Sequence, residues 1–214
     1  MGCIAMPKVS QEHMRDRRNE ILNACEKIYS EQGFYGVTLK AISEQISMTR
    51  PAIYTYFETK DEILLALLER EYAAWAESLS NVKAEAAALD RHALAERLAD
   101  TLQGRETLLR IQNMNLYEIE LNSRVECLAR FKTAYGRTFA LLTDILKAYR
   151  PDIGDGECEA ICLSFLSFLL GVYPFAFHTE KQLEAMRMAG VRQSEVTIRS
   201  MVYECLVRLL PDKV

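Results

Sequence analysis

Residues 49–60 bring several strong hydrogen-bond donors together on a short stretch of chain. Arg50 and Lys60 carry cationic groups, and Tyr54, Thr55 and Tyr56 carry hydroxyls between them. Guanidinium, ammonium and hydroxyl groups hydrogen-bond to phosphate oxygens and to the edges of bases. The chemistry that this stretch could perform is therefore noncovalent recognition of a nucleic acid.

Two short helices separated by a tight turn are predicted to position these donors. Ala41, Ile42 and Ile46 recur at helical spacing, so the first helix has one apolar face that can pack inward. Thr38 is its expected N-cap, because a threonine hydroxyl can accept a hydrogen bond from the first helical turn. Met48 is expected to fill the corner between the two helices.

The second helix is expected to begin with Thr49 as its cap and with Pro51 in the first turn, where backbone N–H groups have no helical partners. Ile53 and Phe57 lie one turn apart and are predicted to face the core. A helix–turn–helix places the opposite face in the major groove while flanking groups hold phosphates. The predicted DNA contacts are Thr38, Lys40, Thr49, Arg50, Pro51, Ala52, Tyr54, Thr55, Tyr56 and Lys60.

From about Arg17 to Leu65 the chain resembles the N-terminal domain of the TetR family of transcriptional regulators. The resemblance rests on Gly33-Phe-Tyr-Gly-Val-Thr38, Ala52-Ile-Tyr-Thr-Tyr-Phe57 and Lys60-Asp-Glu-Ile-Leu64. Ser43 and Ser47 depart from the family pattern, which commonly has a small apolar residue and a glycine there. A positive φ at Ser47 would cost on the order of 1 kcal/mol relative to glycine. The resemblance implies a dimeric, ligand-responsive regulator, with repression as the family expectation.

The chain is predicted to be all-α, because neither strand alternation nor a glycine- and serine-rich linker follows the DNA module. We expect an N-terminal three-helix DNA-binding domain over residues 1–60 and a helical effector-binding and dimerisation domain over 61–214. A continuous helix from about Lys60 to Val82 should join them, so that its movement would move the recognition helix. Further helices are predicted at 90–103, 105–121, 124–149, 157–171, 180–189 and 193–210.

Residues 160–177 form an uncharged run of 18, the lower limit of length for a membrane helix. Gly171 and Pro174 are expected to interrupt it, so we predict a helix buried on both sides and no membrane association. Paired with the last helix, it would form a four-helix interface in a homodimer. The alternative is that both helices are monomer core. The predicted interface residues are Ile161, Phe165, Phe168, Leu169, Met201, Val202, Cys205 and Leu209.

An effector pocket is predicted among the helices that follow the DNA module. Aromatic and methionine side chains there favour a small, mainly apolar molecule, although each could equally be core. The candidate ligand contacts are Trp75, Gln112, Asn113, Met114, Tyr117, Glu118, Phe131, Tyr135, Phe139, Phe165 and Tyr173.

The charge distribution and the cysteine content limit which functions the chain can have. The net charge is −4, yet residues 1–60 hold eight basic and seven acidic side chains, so any DNA footprint is local. Lys8, Arg15, Arg17 and Arg18 are either a phosphate-binding arm or a solvated helix end. The six cysteines lack zinc or redox spacing, and the first eight residues lack a secretion signal, which predicts a cytoplasmic protein without metal or cofactor.

No phosphate loop, nucleophile elbow or metal-spaced histidine pair is found, so we expect no catalysis. Two other readings remain beside a regulator. One is a helical dimer that sequesters a small molecule and whose DNA binding is vestigial. The other is an architectural DNA protein without an effector, which would bind with little sequence preference.

Overall fold

A computed structural model describes residues 8–213, with side-chain environments from residue 11 onward. The expectations for the first seven residues, including Cys3 and the lack of a secretion signal, lie outside the described residues, as does the side chain of Lys8. Every element in the described range is helical, which confirms the all-α prediction. The helices are α1 Lys8–Gly36, α2 Leu39–Gln45, α3 Arg50–Ile53, α4 Lys60–Glu85, α5 Arg91–Asp100, α6 Glu106–Met114, α7 Leu116–Leu121, α8 Val125–Tyr149, α9 Asp155–Ala176, α10 Glu180–Ala189 and α11 Ile198–Leu209, with a 3-10 turn at Ala86–Ala88.

The chain divides into two compact units whose limits differ from the boundary expected at residue 60. The first unit contains the residues up to Glu69 together with Asn115–Phe131, and the second contains Arg70–Met114 and the chain from Lys132 onward. Helices α4 and α8 therefore each contribute to both units. The segment Asn115–Phe131 belongs to the same unit as the helix–turn–helix, although about fifty residues of sequence separate them.

Two glycines shape the passage from α1 into α2 in the first unit. Gly33 has φ 72° and ψ −168°, a left-handed backbone that glycine adopts without steric cost. At Gly36 an added Cβ would lie 2.3 Å from Cβ of Gln32, so a larger residue would force the backbone apart. The turn lets Phe34 and Val37 enter the core, and α2 packs on both α1 and α3.

The second unit is a bundle whose core lies between α5, α6, α9 and α11. Helix α11 packs against α5 and α9, and α9 also packs against α6. One stripe of α9 is buried in this core and consists of Cys158, Cys162, Phe165, Leu166, Leu169 and Val172. By contrast, α10 has no buried residue, although Thr179 and Gln182 form a capping box at its start and Gly190, with φ 67°, ends it.

Two predicted helix boundaries were wrong. The helix expected over 105–121 is broken at Asn115, whose φ of −136° and ψ of −6° are not helical. The Asn115 side-chain oxygen accepts a hydrogen bond of 2.9 Å from the Tyr29 hydroxyl. The last helix begins at Ile198 rather than 193, because Thr197 and Ser200 form a capping box there.

The expectation that Gly171 and Pro174 interrupt α9 was also wrong, since the helix runs on for 22 residues to Ala176. Pro174 has no N–H to donate to the carbonyl of Leu170, which is its helical partner four residues earlier. Asn113 supplies the missing donor, because its Nδ2 lies 2.6 Å from the Leu170 oxygen. The side-chain amide therefore replaces a backbone hydrogen bond, and the last turn of α9 survives the proline.

Within the described residues, α9 is the helix that is long and apolar enough to cross a membrane by length and composition. Its buried stripe packs in the core of the second unit, as the side of a soluble core helix does.

Replacing Asn113 with alanine should leave the Leu170 carbonyl without a protein donor and lower the free energy of unfolding by about 0.5–1.5 kcal/mol. In a Pro174→Ala background the new backbone N–H can bond to Leu170, so the same substitution should cost less. Urea unfolding of the four variants at one protein concentration measures this cycle. An equal cost in both backgrounds would contradict the assigned role of Asn113.

Candidate DNA-binding site

The turn between α2 and α3 is built without backbone strain. Thr38 caps α2, with its Oγ1 accepting a 3.0 Å hydrogen bond from the backbone N–H of Ala41. Helix α2 ends at Ile46 in extended conformation, with φ −129° and ψ 160°. Within residues 8–213, positive φ angles occur only at glycines, so the strain considered for Ser47 is not found.

Helix α3 is four residues long, and its backbone continues in a helical turn to Phe57. The N–H groups of Tyr56 and Phe57 both donate to the carbonyl of Ile53, at 2.9 and 3.1 Å. Ile53 and Phe57 are buried, as the helical spacing predicts. Thr49 occupies the N-cap position with extended backbone, but its side chain makes no capping hydrogen bond. Of the two expected caps, only Thr38 acts as one.

The face opposite Ile53 and Phe57 is open to solvent. Ala52, Tyr56 and Lys60 are half-buried, and the exposed members of the predicted set are Thr38, Lys40, Thr49, Arg50, Pro51, Tyr54 and Thr55. The expected donor at Thr55 is already used, because its hydroxyl donates to the Ala52 carbonyl. The hydroxyl can still accept a hydrogen bond, whereas Arg50 and Tyr54 remain as exposed donors.

Lys60 is held in place by aromatic rings. Its Nζ lies 3.8 Å from the centre of the Phe34 ring and 6.0 Å from that of Tyr35. Tyr35 is 88% exposed and was not among the predicted contacts. The signal for it was present in the sequence, since it lies in the glycine-flanked stretch directly before α2. Lys60 and Tyr35 together extend the polar and aromatic surface beside α2 and α3.

Two of the basic residues in α1 are engaged inside the first unit. Arg18 lies 3.1 Å from the Glu69 carboxylate, and its guanidinium is 5.6 Å from the centre of the Phe57 ring. Arg17 pairs with Glu20 at 2.8 Å. These contacts favour the reading of a solvated helix end over that of a phosphate-binding arm.

The residues that follow positions 50–57, which we call the recognition turn, contain two carboxylates in different environments. Glu62 is 1% exposed and accepts hydrogen bonds from the Arg124 guanidinium at 2.5 and 2.9 Å and from the Glu58 N–H at 2.8 Å. Burial alone would raise the pKa of Glu62, but these donors and the N–H of Arg124 outweigh it and lower the pKa to about 2. Asp61 is buried with no hydrogen bond to its Oδ1, and burial raises its pKa.

Protonation of Glu62 is therefore linked to folding. The folded pKa lies below the ordinary value of 4.5, so ionised Glu62 stabilises the fold above about pH 4.5. This contribution is lost as the pH falls from there towards 2. Glu62 and Arg124 were both missed from the sequence, and nothing local to Arg124 indicates a partner 62 residues away.

Comparison with known proteins agrees with this architecture. A family model described as bacterial regulatory proteins, tetR family, matches residues 21–67, and one described as tetracyclin repressor-like, C-terminal domain, matches residues 69–210. The chain belongs to the TetR family. The TetR-like boundary at residues 67–69 lies close to the point in α4 where the first unit ends.

Relatives within the TetR family are similar mainly in the DNA-binding region. The HTH-type transcriptional repressor Rv1474c of Mycobacterium tuberculosis is 35% identical over 66 residues, which is 31% of this chain and 35% of that protein. The chain thus matches about a third of the length of its curated relatives.

Solved structures extend the likeness to the whole fold. A TetR-family transcriptional regulator from Mesorhizobium loti and the fatty acid degradation regulator FadR from Bacillus halodurans each superpose with a TM-score of 0.60 at 16% identity. They cover 92% and 91% of this chain and 96% and 94% of their own. Identities this low show a shared TetR fold.

The predicted ligand contacts do not share one environment. Tyr117, Glu118 and Phe131 belong to the first unit and the other eight to the second. The buried members are Trp75, Gln112, Phe131 and Phe165, the half-buried ones are Asn113, Tyr135, Phe139 and Tyr173, and the exposed ones are Met114, Tyr117 and Glu118.

Two of these side chains, Gln112 and Trp75, hydrogen-bond within the core of the second unit. The Tyr72 hydroxyl donates to Gln112 Oε1 at 2.7 Å, and the Trp75 indole N–H donates to Thr101 at 2.9 Å. Tyr72 also contacts the ring of Tyr135, with a distance of 5.7 Å between ring centres. A cavity of about 720 Å³ lies elsewhere in this unit and is lined mainly by the end of α9, α10 and residues 192–196.

The predicted interface residues also divide by burial. Phe165, Leu169 and Val202 are buried in the core of their own chain, which leaves them no surface for a partner. Ile161, Phe168, Met201, Cys205 and Leu209 are half-buried. The sequence did not indicate which side of α9 its own chain covers, because the helix is apolar all round.

The described cysteines are free thiols, and four of them are buried. Burial raises the pKa of the thiols of Cys158, Cys162 and Cys205, which disfavours the reactive thiolate. Among the residues that the structure describes, no group of three or more histidine, cysteine, aspartate or glutamate side chains is placed to hold a metal ion.

The two threonines that precede α2 and α3 give a matched test of this geometry. Thr38→Ala should lower the free energy of unfolding by about 1 kcal/mol, because it removes an N-cap hydrogen bond. Thr49→Ala should cost clearly less, since its side chain makes no such bond. Urea denaturation followed by circular dichroism compares the two variants, and equal losses would show that the capping assignment is mistaken.

Proposed function

We propose that this TetR-family protein is a DNA-binding transcriptional repressor that acts as a homodimer on a pseudo-palindromic operator. The observation that carries the proposal is the solvent face of α3, where Arg50 and Tyr54 are exposed while Ile53 and Phe57 anchor the helix from below. An anchored helix with exposed donors has the form of a major-groove reader. Lys40 and Lys60 flank this face as phosphate contacts.

The proposed dimer uses the apolar side chains that α9 leaves uncovered. Leu163 is 48% exposed and Leu170 is 43% exposed, and Ser164 and Ser167 lie between them on the open side. Half-buried residues of α11, including Met201 and Leu209, would complete a four-helix interface. Two-fold symmetry then sets two recognition helices roughly 34–36 Å apart, one turn of DNA.

We further propose that a small, mainly apolar molecule binds the C-terminal helices and releases the repressor from DNA in the cytoplasm. The aromatic content around Tyr72, Trp75 and Tyr135, with Gln112 as a polar group beside them, supports this chemistry. Its relatives are transcriptional regulators, and the proposal gives the protein no catalytic role. Helix α9 serves as a core and interface helix in this proposal, without a membrane.

Selection of genomic fragments by the purified protein at near-physiological salt tests the proposal. A single short inverted repeat among the retained fragments is the expected result. Retention without sequence preference would favour an architectural DNA protein, and absence of retention would favour a ligand-sequestering dimer. Genes beside the recovered repeat would then indicate the class of effector.

Variants of the reading face should separate base contacts from phosphate contacts. Arg50→Ala should weaken operator binding by about 1–3 kcal/mol and relax sequence preference. Lys60→Ala should weaken operator and scrambled duplex similarly and reduce the salt slope by about one. Fluorescence anisotropy across a salt series measures both, with Lys83→Ala in the second unit as the control for lost charge. A change of sequence preference in Lys60→Ala without a change of slope would refute the phosphate assignment.

The dimer surface has its own test. Leu163→Arg should convert the protein to a monomer, because two buried and unpaired guanidinium groups would face each other across the two-fold axis. Leu163→Met keeps the size and apolar character and should remain dimeric. Sedimentation equilibrium distinguishes the two, and a dimeric Leu163→Arg variant would place the interface elsewhere.

A further inference from the structure

Three parts of the first unit meet at the carboxylate of Glu62. Glu62 itself lies in the first turn of α4, Glu58 directly follows the recognition turn, and Arg124 directly precedes α8. Both oxygens of Glu62 receive guanidinium N–H groups, in a bidentate arrangement that fixes orientation as well as distance. Arg124 also contacts the Glu58 carboxylate at 2.8 Å.

Thr59 makes a second connection at the same place. Its Oγ1 accepts a 3.1 Å hydrogen bond from the N–H of Glu62 and lies 3.3 Å from the carbonyl oxygen of Asn122. Residues 58 and 59 follow Phe57 without a break, and Phe57 is the last anchor of the recognition turn. The exit of that turn is therefore fixed both to α4 and to residues 122–124.

These contacts cannot serve DNA binding directly through Glu62. A buried carboxylate offers no donor, and its charge repels phosphate. Removal of Arg124 would leave that charge buried without its main partner, so the carboxylate would take up a proton or the surrounding chain would move. Either response would weaken the hydrogen bond from the Glu58 N–H to Glu62, which holds the end of the recognition turn.

The segment Asn115–Phe131 is tied to the first unit at further points. Asn115 receives the Tyr29 hydroxyl of α1, and Arg130 lies 3.8 Å from Glu69, which also pairs with Arg18. Met114 before the segment and Lys132 after it both belong to the second unit. The segment is thus a covalent connection between the two units in addition to α4.

We propose that Glu62 and Arg124 are positioning residues for DNA recognition, through which the segment Asn115–Phe131 sets the orientation of the recognition turn. This inference rests on the proposed function. It adds the segment Asn115–Phe131 to α4 as a second part of the chain that positions the recognition turn. A displacement of the segment alters operator affinity through the ion pair, without any change in the residues that touch DNA.

The test compares Arg124→Ala, Arg124→Lys and Glu62→Gln with wild type on the operator fragment recovered by selection and on a scrambled duplex. Arg124→Ala and Glu62→Gln should weaken operator binding by about tenfold, a typical size for coupling between sites. Binding to the scrambled duplex and the salt slope should stay unchanged, because no phosphate contact is lost. Arg124→Lys, which keeps the charge but loses the bidentate geometry of the guanidinium, should recover part of the affinity.

Arg97→Ala is the matched control, since Arg97 forms a 2.6 Å ion pair with Glu85 in the second unit. It should bind operator as wild type does. Wild-type affinity in both Arg124→Ala and Glu62→Gln would overturn the proposal. A lower salt slope in Arg124→Ala would also overturn it, by making Arg124 a phosphate contact. If Arg124→Ala lost its helical circular dichroism, Glu62→Gln and Arg124→Lys would decide the matter.

A second readout does not require DNA. Hydrogen exchange of residues 50–59 should be faster in Arg124→Ala than in wild type, while exchange in α5 and α11 should be unchanged. Unchanged exchange at residues 50–59 would count against positioning even if the protein bound no operator. If the wild-type protein selects no operator, the proposed function is refuted. Hydrogen exchange tests the positioning role of the ion pair independently of that result.

Discussion

A carboxylate stays charged inside a protein only where donors replace the water it has lost. Glu62 meets this condition because a guanidinium and two backbone N–H groups converge on it. The donors come from residues 58 and 124 and the carboxylate comes from α4, so none of these three stretches can move far without uncovering the charge. The arrangement of the recognition turn, the start of α4 and residues 122–124 follows from this one requirement.

The position of the helix–turn–helix therefore depends on residues outside its own three helices. Local sequence builds α2 and α3, through the Thr38 cap and the buried pair of Ile53 and Phe57. Their exit, however, is fixed by Arg124, which lies within the stretch matched as a TetR C-terminal domain. The division into sequence domains and the division into compact units therefore disagree for a physical reason.

The sequence was sufficient wherever neighbours along the chain decide the structure. Helical spacing predicted that Ile53 and Phe57 are buried, and the helix predicted over residues 180–189 matches α10, which Gly190 ends. Prediction was wrong where a distant group intervened. Pro174 should have ended α9, but Asn113, which lies 57 residues before Leu170, supplies the donor that the proline lacks.

The candidate site divides along the same line. The anchors Ile53 and Phe57 could be identified from periodicity, because residues four apart share one face of a helix. Arg50 and Tyr54 were identified as donors from their residue type, and both are exposed. The buried and uncovered sides of α9 could not be identified from periodicity. A helix that is apolar all round does not indicate which face its own chain covers. The ligand contacts were named from residue type alone, and the structure distributes them between a buried core, a half-open surface and two units.

Helix α10 is defined mainly by local features of its sequence and has little tertiary packing. It has a capping box, an αL glycine and ten helical residues, yet no side chain is buried. A helix of this length is marginal in water when only its own hydrogen bonds and caps support it. Only Leu183 and Met186 are half-buried, so tertiary packing adds little to the stability of α10. We expect this segment to open at a lower free energy than the bundle. A partner surface or a bound molecule could therefore change the helical structure of α10 with little effect on the stability of the bundle.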